Sequence, residues 1–215
     1  MAVSLPNGVT VALGTTIGSD LTVSAVTNAN PAVATSTSHG LSDGDIVIFT
    51  SGWAKANERV FKVDQQDANS FELEGLNSTS TSDYPAGTGT GTANEVSAWT
   101  QITQILDVTT SGGEMQFTNY SFLEADYETS IPTQSSPQTI SMTIADDPAL
   151  AGYIALKAAA EARTPYALRI AYPSGAYAYY YGYVSFNETP SFTKNQVQSV
   201  NATFNLLNRP TRYAP

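Results

Sequence analysis

Apolar and polar residues alternate with a period of two along most of this chain. The clearest run is Gln138 to Ala145, where Ile140, Met142 and Ile144 fall on one side and Thr139, Ser141 and Thr143 on the other. Gln196 to Leu207 repeats it, with Val200, Ala202, Phe204 and Leu206 opposite Ser199, Asn201, Thr203 and Asn205. Successive side chains of a strand point to opposite faces, so both segments predict strands with one buried face. Trp99 to Val108, Tyr166 to Tyr172 and Tyr177 to Phe186 read as further strands, the last two joined by the turn Pro173-Ser174-Gly175. One segment departs from this period: Leu150, Tyr153, Ile154 and Lys157 have helical spacing. Asp147 followed by Pro148 gives an N-cap and a first-position proline, so a helix is predicted from there to about Ala162. The acids at its start and Arg163 at its end suit the helix dipole.

Upstream the strands are shorter and the turns closer together. Leu21 to Ala25, Ala32 to Thr35, Ile46 to Thr50, Val60 to Val63 and Phe71 to Leu73 are five short strands. They are separated by Asn30-Pro31 and by His39-Gly40-Leu41-Ser42-Asp43-Gly44-Asp45. This spacing suggests a small β-sandwich or barrel. Residues 77–94 are rich in Gly, Ser and Thr and read as a flexible return linker. Borders near residues 18–20 and 93–96 follow, so the chain divides into 1–19 plus 96–215 and a separate 20–95.

Charge sharpens this division. The 215 residues carry 19 acids against 9 bases, for a net charge of −10. Ten of the acids and three of the bases lie in 20–95. No Lys or Arg occurs between Lys62 and Lys157. Gripping nucleic acid takes a basic stripe, and binding an anionic membrane takes basic clusters, so neither is expected as a partner. Cys is absent and His39 is the one histidine, which excludes thiolate chemistry, disulfides and multi-histidine metal sites. Met1 to Val11 has neither a basic nor an apolar signal-peptide region, and no run is long enough to span a bilayer.

Candidate chemistry is thin. His39 beside Ser42 and Asp43 is better read as a turn histidine bonded to backbone than as part of a triad. Asp43-Gly44-Asp45 lacks the spacing of a calcium loop. Gly87-Thr-Gly-Thr-Gly91 lacks the lysine, strand and helix of a phosphate loop. Glu124, Asp126 and Glu128 would share one face of a strand, an acidic row that reads as a solvated face. No catalytic, metal or cofactor-binding residue is expected. The unusual feature is Tyr177, Tyr179, Tyr180, Tyr181 and Tyr183. Tyr177, Tyr179, Tyr181 and Tyr183 share one face, and tyrosine joins large apolar area to a polar tip, so this row is the candidate subunit interface.

The C-terminal motifs Gly182-Tyr-Val-Ser-Phe186, Thr189-Pro190-Ser-Phe192, Asn195-Gln-Val-Gln-Ser-Val200 and Asn208-Arg-Pro-Thr-Arg-Tyr213 resemble those of siphophage tail tube proteins. Trp99-Thr-Gln-Ile102, Ser111-Gly-Gly-Glu114, Ile131-Pro132-Thr133 and Asp146-Asp147-Pro148 follow in the order of that family. The resemblance covers most of 96–215 and extends to Met1–Gly18. Residues 20–95 resemble a different module, a small β-domain inserted in phage tail proteins. Its parts here are Asn30-Pro-Ala-Val33, His39-Gly-Leu41, Gly44-Asp45-Ile-Val47 and Asn69-Ser-Phe71-Glu-Leu73.

The resemblance implies a mainly β fold: a tail-tube-type β-sandwich or barrel with one α-helix, plus an inserted small β-barrel or sandwich domain. It implies a structural virion protein whose hexameric rings stack into a hollow tail tube, the conduit for DNA during genome ejection. Its partners would be itself, then the tape measure, terminator and distal tail proteins, with DNA passing unbound, no membrane and no cofactor. The protein would be assembled in the host cytoplasm and end in the virion. Thr139, Ser141, Thr143, Ser199, Asn201, Thr203 and Asn205 are the candidate lumen-facing residues. A terminator, a capsid decoration or an adhesin with a host-binding β-domain is the alternative reading. A carboxylate-pair hydrolase using Glu124 and Asp126 is a third, weaker one.

Overall fold

The computed structural model describes residues 7–215. The first six residues of the segment read as 1–19 lie outside the described residues. In chain order, β1 is Thr10–Ile17, β2 Leu21–Val23, β3 Ala25–Val26, β4 Ala32–Thr35, β5 Ile46–Ser51, β6 Arg59–Asp67 and β7 Ser70–Leu73. Then come β8 Gly91–Ile102, β9 Ile105–Ser111, β10 Met115–Tyr120, β11 Thr129–Ser135 and β12 Thr139–Ala145. After the helix α1, Ala151–Ala162, follow β13 Pro165–Ala171, β14 Tyr177–Ser191, β15 Ser199–Leu206 and β16 Thr211–Tyr213. The protein is mainly β with one helix among the described residues, as the alternation predicts.

Twelve strands form one hydrogen-bonded path, β3-β4-β7-β6-β5-β8-β1-β13-β14-β15-β12-β9, with β2 added to β8 and β16 to β14. Every pair is antiparallel, so the sheet needs no crossover helices and can leave a face to water. The sheet curls around separate cores. The first lies under α1, where Leu156 and Ala159 meet Leu13, Ile140, Met142 and Phe204. The second lies wholly within 20–95 and includes Val47, Phe49, Trp53, Phe61, Phe71 and Leu73. A third, smaller cluster joins the two halves: Ile46, Ile48 and Val60 pack on Val96, Ala167 and Tyr179.

Three local expectations change. The strand predicted over Trp99 to Val108 is two strands, because Gln104 sits at φ 58 and turns the chain between β8 and β9. The helix starts later than the Asp147-Pro148 signature indicates. Asp147 Oδ1 accepts the Ala149 N–H at 3.1 Å and caps a preceding turn, and the helix begins at Ala151 with Leu150 as its N-cap. At its other end Arg163 is the C-cap, in the left-handed conformation. The segment read as a flexible linker is held down. Trp53 Nε1 donates to the Pro85 carbonyl at 2.8 Å, Tyr84 is buried against Trp53, and residues 91–94 already belong to β8.

β8 carries the most topological weight. Its first half pairs with β5 and β2, and its second half pairs with β1. One unbroken strand therefore belongs to both halves and crosses the compositional border near 93–96. Gly91 sits where β5 and β8 come close: a Cβ there would lie 1.9 Å from the Thr50 carbonyl oxygen.

Candidate functional site

The face of the sheet opposite α1 divides into two regions. The covered one spans β8, β1, β13 and the first half of β14. Here Tyr179 stands beside Arg169 in register, and the 20–95 half packs over both. The open one spans the second half of β14, then β15, β12 and β9.

The open region is a neutral wall. Cross-strand register aligns Tyr183, Asn205, Thr139 and Ser111 in one row and Ser185, Thr203, Ser141 and Thr109 in the next. A third row is Asn187, Asn201, Thr143 and Asp107. Six of the seven residues expected to face a lumen thus share one surface, and Ser199, opposite Ala145 and Ser191, continues it one step further. Tyr183 closes its first row, and Asp107 is the one charged side chain in these three rows. Two pairs of these polar groups satisfy one another: Thr143 Oγ1 donates to Asn201 Oδ1 at 3.0 Å, and the Ser111 and Thr139 hydroxyls are 2.7 Å apart. Neutral hydroxyls and amides, with no cation among them, offer little to a passing phosphate.

The wall has an open edge on each side. β9 ends the strand path and pairs only with β12 among the described residues. On the other side β13 pairs with β14 from Tyr177 to Tyr183. From Val184 to Ser191 that edge of β14 has no strand partner among the described residues. Because β14, β15, β12 and β9 alternate in direction, β9 runs opposite to β14. Unpaired edges of this length invite pairing with another chain.

The tyrosine row is split by the fold. Tyr179 is 5% exposed and packs against Trp99, with ring centroids 6.0 Å apart, and against Tyr213 at 5.8 Å. Tyr181 is partly buried in the same cluster. Burial pushes the Tyr181 phenol up to about 12 and raises that of Tyr179. The covering surface that the tyrosines imply at these two positions comes from the same chain. Tyr177 and Tyr183, 39% and 43% exposed, remain available to another.

The junction is fastened by groups that alternation does not single out. The Tyr213 hydroxyl donates to the Glu74 carbonyl at 2.9 Å and accepts the Lys62 N–H at 2.8 Å. Arg59 Nη2 donates to Thr211 Oγ1 at 3.1 Å while its guanidinium lies over Phe61. Asn208 Nδ2 donates to the carbonyls of Ala54 and Asn57. A groove of about 470 Å³ remains at the junction, lined by Asp45, Lys62, Glu95 and Arg169 beside Tyr177. Arg169 there lies over the Trp99 ring, 4.8 Å from its centroid. No nucleophile is paired with a base in this groove.

The remaining sequence candidates have structural roles. His39 is buried, its Nδ1 accepts the Leu41 N–H, and its Nε2 therefore donates to the Asp67 carbonyl at 2.9 Å. It pins a turn and makes no contact with a nucleophile. Asp43 accepts the Gln65 N–H and Asp45 the Ser42 N–H, so both carboxylates serve as turn acceptors. Glu124, Asp126 and Glu128 do not share a strand face. They lie in the loop that tips the β10–β11 hairpin. Among the described residues no group of three potential metal ligands comes together, and no helix is long and apolar enough to cross a membrane.

This hairpin is the second feature that alternation does not reveal. Every residue of β10 and β11 is exposed, and the two strands pair only with each other. They form an arm projecting from the end of the wall at Ser111 and Thr139.

A long antiparallel sheet with a neutral open face, two free edges and a projecting arm suits an assembling structural protein. The model of the family described as phage tail tube protein, TTP, matches residues 51–215. The chain belongs to the phage tail tube protein family. A search of curated proteins found no match. The match takes in every strand of the wall, the arm, α1 and the C-terminal fastening, along with β6, β7 and β8. The tail tube family is a structural one, not an enzyme family. Membership makes this a tail tube subunit of a phage virion, built to assemble with copies of itself and other tail proteins.

Proposed function

We propose that this protein is the major tail tube subunit of a siphophage. Six copies form a ring, and rings stack into a hollow tube through which DNA leaves the capsid during ejection. The observation that carries this reading is the four-stranded wall with an open edge at each side. β9 of one copy adds antiparallel to Val184–Ser191 of β14 in the next, which is a heterologous contact that can close a ring. Four strands per subunit preserve the antiparallel alternation around the circle, and closure removes the exposed edges.

The wall then faces the lumen. Thr139, Ser141, Thr143, Ser199, Asn201, Thr203 and Asn205 give it neutral polarity, and Asp107 adds one carboxylate per copy. Such a surface repels phosphate weakly and binds it poorly, so DNA slides without specific contacts. Tyr177 and Tyr183 are the row's remaining candidates for contact with a neighbouring subunit.

Residues 20–95 act as a small β-domain inserted into a tube body of 1–19 and 96–215. Its self-contained core supports this division. It packs over β8, β1, β13 and the first half of β14, beside the wall strands and not over them, so it leaves the wall uncovered. The tape measure, terminator and distal tail proteins are the expected further partners, with assembly in the host cytoplasm.

Electron microscopy of the purified protein tests the reading. Tubes with sixfold symmetry and the wall inward are the expected result. A protein that stays monomeric across salt and concentration overturns it.

A further inference from the structure

We propose that the groove at the junction of the two halves binds a sugar, as one neutral hexopyranose unit of a glycan. This is a ligand-binding role beyond assembly, and it stands apart from the tube reading above.

Both halves build the groove. β8 brings Glu95, Ser97 and Trp99, β13 brings Arg169, β14 brings Tyr177, and the turn before β5 brings Asp45. Its volume of about 470 Å³ falls in the range of small-molecule sites, roughly 300–1,000 Å³, and such sites favour domain interfaces. Strands on every side hold the frame. β1 places Ala12 opposite Arg169 and Gly14 opposite Trp99, so no bulky side chain separates the guanidinium from the indole it covers.

The polar groups select the ligand. Lys62 Nζ is held by the Glu74 carboxylate at 2.9 Å. The Tyr213 hydroxyl is occupied by the two backbone groups of the fastening. Arg169 and Glu95 line the same groove, yet among the described residues neither enters an ion pair, with the other or with a third group. A donor and an acceptor thus face one space without a partner. A sugar hydroxyl serves both, donating to Glu95 and accepting from Arg169, whose planar fork is pre-set by its place on Trp99. A phosphate or carboxylate ligand would be repelled by Asp45 and Glu95, and an apolar one would leave Arg169 and Glu95 desolvated without partners.

Tyr177 supplies the platform. Its ring lies along that of Tyr179, 21° from parallel with centroids 6.2 Å apart, and it is 39% exposed, so it is both held and accessible. The negative face of an aromatic ring attracts C–H groups, and a pyranose presents C–H groups on its face and hydroxyls at its rim. Ring against ring, with hydroxyls reaching Glu95 and Arg169, favours a cyclic sugar over an open-chain polyol. This use of Tyr177 leaves Tyr183 as the tyrosine for a neighbouring subunit.

Saturation-transfer NMR on the full-length protein tests this, because it observes the ligand and serves monomers and tubes alike. The probes are the methyl pyranosides of glucose, galactose and N-acetylglucosamine, with sorbitol as the open-chain control. At least one pyranoside should bind, with a dissociation constant of about 1–10 mM and the strongest saturation at its ring C–H groups, and sorbitol should not. Glu95→Gln should weaken binding about threefold to tenfold, the worth of one hydrogen bond, and Tyr177→Ala should abolish it. Both positions are at least partly exposed, so circular dichroism should show both variants folded. Maltose, lactose and chitobiose, the matching disaccharides, separate a glycan from a free sugar. A disaccharide that binds at least as tightly as its pyranoside supports a glycan, and one that binds more weakly overturns it. Binding of no pyranoside, equal signals from sorbitol, or signals untouched by both variants overturns the site and leaves the tube reading standing.

Discussion

The phenol oxygen of Tyr213 lies 2.8 Å from the backbone nitrogen of Lys62, 151 residues earlier in the chain. The same hydroxyl donates to the Glu74 carbonyl, so one side chain near the C-terminus satisfies two backbone groups on β6 and just beyond β7. Tyr213→Phe keeps the ring against Tyr179 and deletes the hydroxyl. Leaving a part-buried donor and acceptor without this partner costs about 1–3 kcal/mol. Thermal unfolding should show a Tm several degrees lower, with unchanged far-ultraviolet circular dichroism below the transition. An unchanged Tm would show that water replaces the hydroxyl without loss.

The same junction sets an alkaline limit. Burial raises the phenols of Tyr179, Tyr181 and Tyr213, with Tyr181 pushed up to about 12. An unfolded tyrosine ionises near 10. A group whose folded value is raised stabilises fully below its unfolded value and loses that contribution as pH climbs through the folded one. Stability should therefore hold up to about pH 10 and fall between there and about 12. Absorbance of tyrosinate against pH checks this: a late-ionising fraction is expected that shifts to the ordinary range in denaturant.

The tyrosine row separates folding from assembly. Tyr179→Asp deletes the ring packed on Trp99 and Tyr213 and buries a carboxylate among Ile46, Val60, Val96 and Ala167, where lost packing and desolvation are costly even with Arg169 alongside. It should reduce soluble, folded protein, not merely assembly. Tyr183→Asp, on a half-exposed position at the end of the wall, should leave a folded monomer that assembles poorly. Circular dichroism and sedimentation of the two variants distinguish these outcomes. Tyr183→Asp tubes at the normal yield would show that this position touches no neighbour. Excising 20–95 uncovers Trp99, Tyr179 and Tyr181 together, so a soluble tube body needs polar replacements at those positions as well.

How far the sequence carries depends on what each element packs against. β12 and β15 are legible because one face meets the α1 core and the other meets water, so period two survives intact. β8 and β14 are less so, because each is covered by different partners along its length. Tyr177 to Phe186 shows a strand, but its continuation to Ser191 leaves the core and loses the apolar signal. Residues 105–137 carry Leu106, Phe117, Phe122 and Tyr127 without burying them, so a rule that equates apolar with buried misreads the arm. The wall's four-strand width needed the register, since Thr109 and Asp107 stand beside Ser141 and Thr143 only through long-range pairing. The Tyr213 fastening is a single hydroxyl meeting two backbone groups; the motif ending in Tyr213 marks the segment, but no periodicity shows what it holds.

The neutrality of the wall makes the sharpest functional prediction. Asn201 and Thr203 are on adjacent wall rows of β15, and neither side chain contributes to the α1 core. Asn201→Lys with Thr203→Lys adds two cations per copy at positions open to solvent or half so, at little cost to the fold. If the wall lines a conduit, every ring would gain a band of positive charge facing DNA. Each Lys near a phosphate releases counterions and strengthens binding, an effect that fades as salt rises. Tubes should therefore form normally, and phage carrying the variant should eject DNA slowly at low salt, recovering speed at higher salt. Fluorescence of a DNA-binding dye during triggered ejection reads this directly. Ejection at the unmodified rate across the whole salt range would mean that this face does not see the DNA.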